Sequence, residues 1–321
     1  MFHTEIGQDI HKAKALLLED SVVAIPTETV YGLAANALSE EAVVKIFAAK
    51  NRPFFDPLIV HTYSLDAMRK YVEDIPAKAI ILLQQFSPGP ITLLLKKKII
   101  IPDLVTSGLD TVAMRIPNHP LTLSLLRELE FPLAAPSANP FGYISPTTAQ
   151  HVADQLQGKI PYILDGGVAT VGVESTIVGF EGEQPVVFRL GGLTIEKIER
   201  VIGKVQIRIQ DSSNPAAPGM LSSHYAPIKK LRLVGEESHE LEKLDKRRMG
   251  VIAFDKYIET ISKENQILLS PKGDLSEAAK NLFAAMRRLD NSNVDLILAV
   301  HFPDIGLGRA INDRLKRAST T

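Results

Sequence analysis

The chain has 321 residues, of which 36 are basic, 37 are acidic and 45% are hydrophobic, and it contains no cysteine. This length predicts about two domains with packed cores. The balanced charge gives no overall field for nucleic acid or anionic lipid, so any basic patch must be local. The lack of cysteine excludes disulfides, thiolate nucleophiles and cysteine-ligated zinc.

The N-terminal region carries no targeting pattern. Residues 1–20 contain four acidic side chains and no long apolar run, so we expect no signal peptide. No apolar stretch approaches the roughly 20 residues of a membrane-spanning helix. We therefore expect a cytoplasmic protein without a membrane contact. No helical seam or apolar surface patch stands out, and we expect a monomer.

Residues 21–52 form the first strongly patterned stretch. An apolar run at 22–25 predicts a short buried strand, which leads into the turn Pro26-Thr27-Glu28-Thr29 with its hydroxyls and carboxylate. A helix follows, with Ser39 as its N-cap and an apolar stripe that includes Val43 and Phe47. The helix buries one face and carries its polar residues on the other.

Two cations, Lys50 and Arg52, stand at the end of this helix, which Pro53 is expected to stop. Cations held on a fixed scaffold beside a hydroxyl-rich turn suit a small anion such as a nucleotide phosphate. Solvated cations favoured by the helix macrodipole explain the same residues equally well.

Strand-like and helix-like segments then alternate up to about residue 190. The patterns predict strands at residues 58–61, 91–95, 112–116, 133–136, 162–164, 175–178 and 186–189, with helices at 121–130 and 148–157. They indicate an α/β or α+β domain with one large sheet. The spacing leaves open whether its strands run parallel or mixed.

Residues 211–227 differ in composition from the segments before them. Three prolines, one glycine and four serines without periodicity predict a linker. Its second half contains Met220, Leu221, His224 and Tyr225, which a plain spacer does not need, so we expect it to act also as a lid. We place the first domain at 1–207, the linker at 208–228 and the second domain at 229–321.

The second domain repeats the alternation on a smaller scale. Strands are predicted at 231–234, 250–254, 267–270 and 294–300, and helices at 236–246, 275–289 and 309–318. This spacing predicts a small parallel sheet flanked by helices.

Several common catalytic motifs are excluded. Gly167 and Gly172 have the glycine spacing of a P-loop, but Val173-Glu174 stands where lysine and a hydroxyl residue are required. The chain has neither a His-Glu-x-x-His nor a Gly-x-Ser-x-Gly motif. The sequence therefore disfavours a Walker-type ATPase and a catalytic zinc site, and it excludes a serine hydrolase with this elbow motif.

Polar residues cluster in the loops that follow the predicted strands, where rigid scaffolds present ligand-binding groups. Each cluster also has a purely structural explanation. Ser137 and Asn139 beside prolines are common turn residues, and Gly191-Gly192 reads as a turn. Ser175 is explained as an ordinary strand hydroxyl, and Arg115 as the partner of a carboxylate such as Asp110.

The clusters taken together are more specific. In chain order they are Pro26-Thr-Glu-Thr-Val-Tyr-Gly-Leu, Lys50-x-Arg52-Pro, Pro57-Leu-Ile-Val-His61, Ser87-Pro-Gly-Pro-Ile-Thr-Leu, Val112-Ala-Met-Arg115-Ile-Pro, Ala135-Pro-Ser-Ala-Asn139, Asp165-Gly-Gly and Glu174-Ser-Thr176. This order resembles the YrdC-like family in its two-domain form. The resemblance covers residues 8–203, resumes at 218–227 with His224-Tyr-Ala-Pro, and continues more weakly to 306–315.

The resemblance implies an α/β fold, with a YrdC-like domain built on a large mixed sheet and a smaller Rossmann-like α/β domain after it. It implies a nucleotidyltransferase that joins L-threonine, bicarbonate or CO2, and ATP into threonylcarbamoyl-adenylate and pyrophosphate. Partner proteins that modify tRNA are then expected to transfer the threonylcarbamoyl group to adenosine 37. A weak tRNA contact by this chain is left open.

The resemblance also implies two sets of site residues. Around L-threonine it places Thr29, His61, Arg115, Ala135 and Ser175. Around ATP it places Lys50, Arg52, Asp56, Thr111, Ser137, Asn139, Ser145, Arg189 and Tyr225. Lys50, Arg52, Ser137 and Asn139 are the expected catalytic residues, acting by positioning and charge. Mg2+ is expected on the ATP phosphates, with no side chain assigned as its ligand.

Asp56 departs from the family pattern, which most often has asparagine there. A carboxylate beside phosphates repels them unless it meets a metal or an arginine. The role of Asp56 at the ATP site is therefore left open.

The alternative from another class is an RNA-binding module of the same fold, using a concave basic surface of Lys50, Arg52, Arg115 and Arg189. The near-zero net charge and the 6% aromatic content disfavour it. A second alternative is a YciO-like relative without synthetase activity. The linker with His224-Tyr225 disfavours that alternative.

Overall fold

The computed structural model describes residues 3–209, 217–221, 223–234 and 248–320. Its strands are β1 Glu5–Gly7, β2 Val23–Ile25, β3 Gly32–Asn36, β4 Ile59–His61, β5 Ile91–Lys96, β6 Thr111–Arg115, β7 Leu133–Ala134, β8 Tyr162–Leu164, β9 Thr176–Glu181, β10 Gln184–Arg189, β11 Gln206–Ile207, β12 Lys230–Val234, β13 Met249–Ala253, β14 Gln266–Leu268 and β15 Leu296–Val300. The helix predicted at 236–246, and linker residues 210–216 and 222, lie outside the described residues.

The helices alternate with these strands. They are α1 Ile10–Leu18, α2 Glu40–Lys50, α3 Leu65–Met68, α4 Ala77–Phe86, α5 Asp103–Thr106, α6 Pro120–Glu128, α7 Ala149–Leu156, α8 Ile195–Ile202, α9 Leu275–Asp290 and α10 Gly308–Ala318, with a short 3-10 turn at Lys263–Asn265. No helix in the described ranges is long and apolar enough to cross a membrane.

Eleven of the strands form one sheet in the order β1-β8-β2-β3-β7-β4-β6-β5-β9-β10-β11. Its pairing is mixed, because β4 runs parallel to β6 while β5 runs antiparallel to β6. The large mixed sheet that the family resemblance implied is thus confirmed. The strand directions, which residue spacing could not give, are set by tight returns such as β2 to β3 and β9 to β10.

The remaining four strands form a second sheet in the order β12-β15-β13-β14. All its neighbouring strands are parallel, which confirms the predicted small parallel sheet. Helix α9 packs on β13, and α10 packs on β12 and α9.

Helix α2 ends differently from the prediction. Ser39 caps its start as expected, with its side chain accepting a hydrogen bond from the backbone N–H of Ala42. The last helical residue is Lys50, and Asn51 then adopts the left-handed conformation with φ of 52°. Asparagine tolerates this conformation and ends the helix, as in a common C-capping motif. Pro53 therefore lies beyond the end of the helix and does not stop it.

The two sheets share a hydrophobic core. Val30, Ile144 and Val173 belong to loops of the first sheet, yet they pack in one buried cluster with Phe283 of α9 and Leu315 of α10. Tyr225 of the linker joins the same cluster. The second sheet with its helices therefore packs directly against the loops that carry the conspicuous polar motifs.

Gly172 allows this close packing. Its φ is +81°, and a Cβ there would stand 2.4 Å from the Cα of Lys280 in α9. We expect Gly172→Ala to lower the free energy of unfolding by roughly 2–5 kcal/mol, because backbone strain and overpacking add. The control is Gly182→Ala, where φ is +57° and no atom lies within 4 Å of the added Cβ. Urea unfolding of both variants should show a clearly larger loss at Gly172, and equal losses would contradict the packing explanation.

Candidate active site

A cavity lies where the loops of the first sheet meet the linker. Its walls come from the loop after β2, the ends of β4, β6 and β10, the loop after β7, and the second half of the linker. The lining residues are Thr27, Thr29, Val30, Gly32, Arg52, Pro57, Ile59, His61, Arg115, Ala135, Pro136, Ser137, Glu174, Arg189, Pro218, Gly219, His224 and Tyr225. His61 and Arg115 stand side by side because they end parallel strands that pair in register.

Eight of the residues expected at the site line this cavity. From the threonine set they are Thr29, His61, Arg115 and Ala135, and from the ATP set they are Arg52, Ser137, Arg189 and Tyr225. Lys50, Asp56, Thr111, Asn139, Ser145 and Ser175 are not among the lining residues. Residues of the threonine set and of the ATP set thus line the same cavity, but not every expected side chain faces it.

Arg115 is held by an acidic partner that the sequence prediction did not identify. Its guanidinium forms an ion pair with Glu28 at 2.7 Å, and both side chains are buried. The other Glu28 oxygen accepts a hydrogen bond from the backbone N–H of Asn118 at 2.9 Å. The partner suggested from the sequence, Asp110, is therefore not the one observed. Within the described chain, Arg115 Nε has no hydrogen-bond partner.

Arg52 and Asp56 form a second buried pair. Arg52 Nη2 lies 2.8 Å from Asp56 Oδ2, and the same guanidinium donates to the carbonyls of Asp56 and Pro57. Burial raises the pKa of Asp56, while Arg52 acts in the opposite direction. Of the two ways to accommodate a carboxylate near phosphates, the structure shows the arginine partner. Asp56 holds Arg52 in place from outside the cavity.

Lys50 and Asn139 shape the loop after β7. Lys50 Nζ donates to the carbonyl oxygens of Ser137, at 2.5 Å, and Asn139. Burial, followed by the nearby Arg52, holds the pKa of Lys50 well below its usual range. The Asn139 amide donates to the carbonyls of Pro140 and Tyr143, at 2.8 Å each. These two side chains therefore support the loop that presents Ser137 to the cavity.

Three other expected residues also lie behind the walls. The Ser145 hydroxyl donates to Glu174 at 2.6 Å, and the Ser175 hydroxyl pairs with that of Thr92 at 2.7 Å. Thr111 begins β6, four residues before Arg115, which is roughly 13 Å along an extended strand.

Arg189 connects the sheet to the linker. Its Nε and Nη2 donate to the Ser175 carbonyl at 3.0 and 2.9 Å, and its Nη1 donates to the Pro218 carbonyl at 3.2 Å. No ion pair with a carboxylate forms at Arg189 in the part of the chain that the structure describes. A buried guanidinium remains protonated, so Arg189 brings to the cavity wall a positive charge that is not in ion-pair contact with a described carboxylate.

Gly191 is more than the turn residue suggested by the sequence. A Cβ at this position would stand 2.3 Å from the Glu174 carbonyl oxygen and 2.4 Å from the Ser175 carbonyl carbon. The chain after β10 therefore passes directly against the backbone that leads into β9, and only glycine permits this approach.

Glu174 lines the cavity and is paired from the other domain, which the sequence prediction did not foresee. Arg314 of α10 has no exposed side-chain surface, and its Nε lies 2.8 Å from Glu174 Oε2. Its Nη2 donates to the Leu190 carbonyl at 2.8 Å. The guanidinium also lies 5.0 Å from the centre of the Tyr225 ring. Helix α10 thus reaches the wall of the cavity from the second sheet.

The buried histidines of the site are neutral at physiological pH. Burial, followed by the charge of Arg115, lowers the pKa of His61 to about 3. Burial, followed by Arg52 and Lys50, also holds the pKa of His224 well below its usual range. Neither ring adds a positive charge to the cavity, so its charge comes from the arginines and the acids paired with them.

Because the pKa of His61 is lowered in the folded chain, the free energy of unfolding is expected to decrease as the pH falls. Between pH 6.5 and about 3 the unfolded chain protonates this histidine while the folded chain does not. The free energy of unfolding should therefore fall by about 1.4 kcal/mol per pH unit on its account. Urea unfolding from pH 7 to 5 should show a shallower slope for His61→Gln than for the unmodified chain. The same substitution at the exposed His11 should leave the slope unchanged; equal slopes for all three proteins would contradict the expectation.

The basic residues assigned to an RNA-binding surface do not form one. Lys50, Arg52, Arg115 and Arg189 are 1%, 8%, 4% and 5% exposed. Three of them line the cavity, and Lys50 bonds to backbone carbonyls behind it. A nucleic-acid backbone needs charge on an open surface, so this arrangement favours a small anionic ligand.

No group of three or more acidic or histidine side chains is placed to hold a metal ion within the described ranges. The acids nearest the cavity are Glu28, Asp56 and Glu174, and each is paired with an arginine. These carboxylates are thus already neutralised and do not offer a dedicated cation site.

Comparisons with known proteins agree with the motifs. A family model described as "Telomere recombination" (Sua5, YciO, YrdC) matches residues 15–191. A second, described as "Threonylcarbamoyl-AMP synthase, C-terminal domain", matches residues 193–320. The threonylcarbamoyl-AMP synthases of Pyrococcus abyssi and Bacillus subtilis are each 42% identical to this chain and cover 97% of it. The matches span 94% and 92% of those proteins, respectively.

Solved structures extend the likeness to the whole fold. The crystal structure of P. abyssi Sua5 complexed with L-threonine has a TM-score of 0.90 and 40% identity, and the match covers 99% of this chain and 97% of that one. Escherichia coli YciO has a TM-score of 0.52 and 21% identity over 60% of this chain and 95% of its own, which shows a shared fold alone. The match with the P. abyssi protein thus spans both sheets of this chain. The chain therefore belongs to the threonylcarbamoyl-AMP synthase family, in its two-domain form.

Proposed function

We propose that this chain is a threonylcarbamoyl-AMP synthase, which converts L-threonine, bicarbonate or CO2, and ATP into threonylcarbamoyl-AMP and pyrophosphate. The observation that carries the proposal is the cavity itself. One cavity is lined by hydroxyl groups, two neutral histidines and three buried arginines. Such a site suits an amino acid together with a polyanion, and the full-length similarity to enzymes of this name supports L-threonine and ATP as the pair.

L-Threonine is proposed to bind where β4 and β6 end. Arg115 offers its free Nε–H to the substrate carboxylate, and Glu28 fixes the guanidinium so that little ordering is needed on binding. Thr29 lies beside it, with its hydroxyl 2.8 Å from that of Thr27. His61 is neutral, so the positive charge that binds the threonine carboxylate comes from Arg115. The likeness to the threonine-bound P. abyssi structure supports this assignment.

ATP is proposed to lie between Arg52 and Arg189, under Tyr225. ATP carries nearly four negative charges, and the two guanidiniums together with Mg2+ on the phosphates offset most of them. The paired acids leave the metal to be held by the phosphates. When bound, Mg2+ would neutralise charge on the leaving pyrophosphate.

The chemistry needs no protein nucleophile. The amino group of threonine forms a carbamate with CO2, and a carbamate oxygen displaces pyrophosphate from the α-phosphorus of ATP. With bicarbonate as the carbon source, one water is also released. The protein holds the reactants in line and stabilises charge through its arginines. It must also exclude water, because the carbamate and the mixed anhydride are both labile.

The second half of the linker is proposed to act as the lid. Pro218, Gly219, His224 and Tyr225 line the cavity, and Arg189 holds the Pro218 carbonyl. We propose Gly219, Ser222 and Ser223 as the hinge of this lid; residue 222 lies outside the described residues. We further propose that the chain acts as a monomer, that tRNA-modifying proteins receive its product, and that any direct tRNA contact is weak.

The function is tested by pyrophosphate release from ATP with the purified full chain. Release should require both L-threonine and bicarbonate, and omission of either should return it to background. Mass spectrometry should detect threonylcarbamoyl-AMP in the complete mixture. Release that is independent of threonine, or RNA binding without any release, would refute the proposal.

A further inference from the structure

We propose that Arg314 of the C-terminal domain is a positioning residue for the nucleotide: it neutralises Glu174 and thereby leaves Arg189 free for the phosphates. This inference rests on the function proposed above and assigns a role in it to helix α10. Arg314 itself does not line the cavity and acts through the two residues that do.

The first step concerns how the acidic residues at the cavity are paired with arginines. Two of the acids nearest the cavity, Glu28 and Asp56, are paired with arginines of the first domain that themselves line the cavity. The third acid, Glu174, is paired across the domain boundary with Arg314, which is fully buried and also forms an ion pair with Asp313 of its own helix at 2.5 Å. The first domain alone would therefore present this carboxylate to an incoming polyanion without its partner.

The second step concerns Arg189. Burial alone would raise the pKa of Glu174, yet Arg314 and then Arg189 hold it below its usual range, so the carboxylate is ionised. Arg189 is bound to the Ser175 and Pro218 carbonyls and has no carboxylate contact while Arg314 is in place. Of the two arginines whose charges lower the pKa of Glu174, only Arg189 remains when Arg314 is removed. The guanidinium proposed for the phosphates would then be neutralised by the wall itself.

The third step is that α10 also holds the linker. The Arg314 guanidinium lies 5.0 Å from the Tyr225 ring centre, and Phe283 stacks on the same ring at 5.7 Å. Arg317 donates to the Leu221 carbonyl, and its own carbonyl accepts from the His224 N–H at 3.4 Å. Helix α10 thus contributes both to the charge at the cavity wall and to the position of the linker, the latter together with Phe283 of α9.

The test is a double-mutant cycle of Arg314 and Glu174 in the full chain. Isothermal titration calorimetry measures the affinity of each variant for ATP and, separately, for L-threonine. Arg314→Met should weaken ATP binding at least tenfold and change L-threonine binding by less than threefold. Adding Glu174→Gln to Arg314→Met should restore ATP binding to within about threefold of the unmodified chain. Glu174→Gln alone should tighten ATP binding, because a negative wall charge is removed while both arginines remain.

The matched control is Arg309→Met on the same helix. Arg309 also forms an ion pair across the domain boundary, with Glu196 at 3.1 Å, but both side chains are partly exposed and neither lines the cavity. This variant should bind ATP and L-threonine as the unmodified chain does. Thermal unfolding of each variant reports whether it is folded.

Three results would overturn the inference. They are a double variant as impaired as Arg314→Met, equal losses of ATP and L-threonine affinity, and weaker ATP binding by Glu174→Gln alone. If Arg314→Met does not fold, the ATP affinities of Glu174→Gln and of the double variant still test the inference. Both of these variants lack the Glu174 carboxylate. Failure of the proposed function is distinguishable, because the unmodified chain would then show no threonine-dependent pyrophosphate release whatever the variants bind.

Discussion

Arg52→Ala should weaken ATP binding by roughly 2–5 kcal/mol, since it removes a buried guanidinium from the proposed phosphate site. The structure adds a second cost. Asp56 loses its partner at 2.8 Å and stays buried with an uncompensated charge near the phosphates. ATP titration and threonine-dependent pyrophosphate release measure the effect. Unchanged release would remove Arg52 from the site.

Two further variants separate these costs. Arg52→Ala combined with Asp56→Asn removes the stranded charge, so it should recover stability and part of the ATP affinity. Arg52→Lys keeps the charge but loses the planar fork that bonds the carbonyls of Asp56 and Pro57. It should fall between the unmodified chain and Arg52→Ala. A double variant as weak as Arg52→Ala would show that Asp56 adds nothing to the loss.

Arg115→Met should abolish measurable L-threonine binding, with an expected loss of roughly 2–5 kcal/mol. The guanidinium is the cation that stands at the joined ends of β4 and β6, where His61 is neutral. Calorimetric titration with L-threonine measures the loss. ATP binding serves as the internal reference and should change less.

Glu28 provides the control for Arg115. The single variant Arg115→Met leaves Glu28 buried without its ion-pair partner and should also destabilise the fold. Adding Glu28→Gln should restore stability without restoring threonine binding. Recovery of both properties in the double variant would mean that Arg115 only neutralises Glu28 and does not bind the substrate.

The fold was predictable where hydrophobic periodicity is strong. Helices α7 and α9 and strand β8 lie within about one residue of their predicted bounds. Strand β3 was not predicted, because Gly-Leu-Ala-Ala-Asn has no β-branched residue and no alternation. The order of strands in the large sheet depends on long-range pairing, which a local pattern cannot report.

The site was predictable as a set of loops, but the directions of its side chains were not. Lys50 lies in a motif beside Arg52, yet its amine is taken by two backbone carbonyls. One signal for Arg314 was present in the sequence. It falls with Ile311, Leu315 and Ala318 on the apolar stripe of α10, and an arginine there is expected to be buried and to need a carboxylate. The identity of that carboxylate required the fold.

The shared core has a consequence for the chain during its synthesis. Val30, Ile144 and Val173 are translated well before Phe283 and Leu315, against which they pack. At cellular rates of elongation the apolar side of the first sheet's loops stays uncovered on the ribosome for on the order of ten seconds. We expect ribosome-bound chains that end before Leu275 to crosslink to a general chaperone through this side, and the released full chain not to do so. Equal crosslinking of both would show that the first domain closes over these residues unaided.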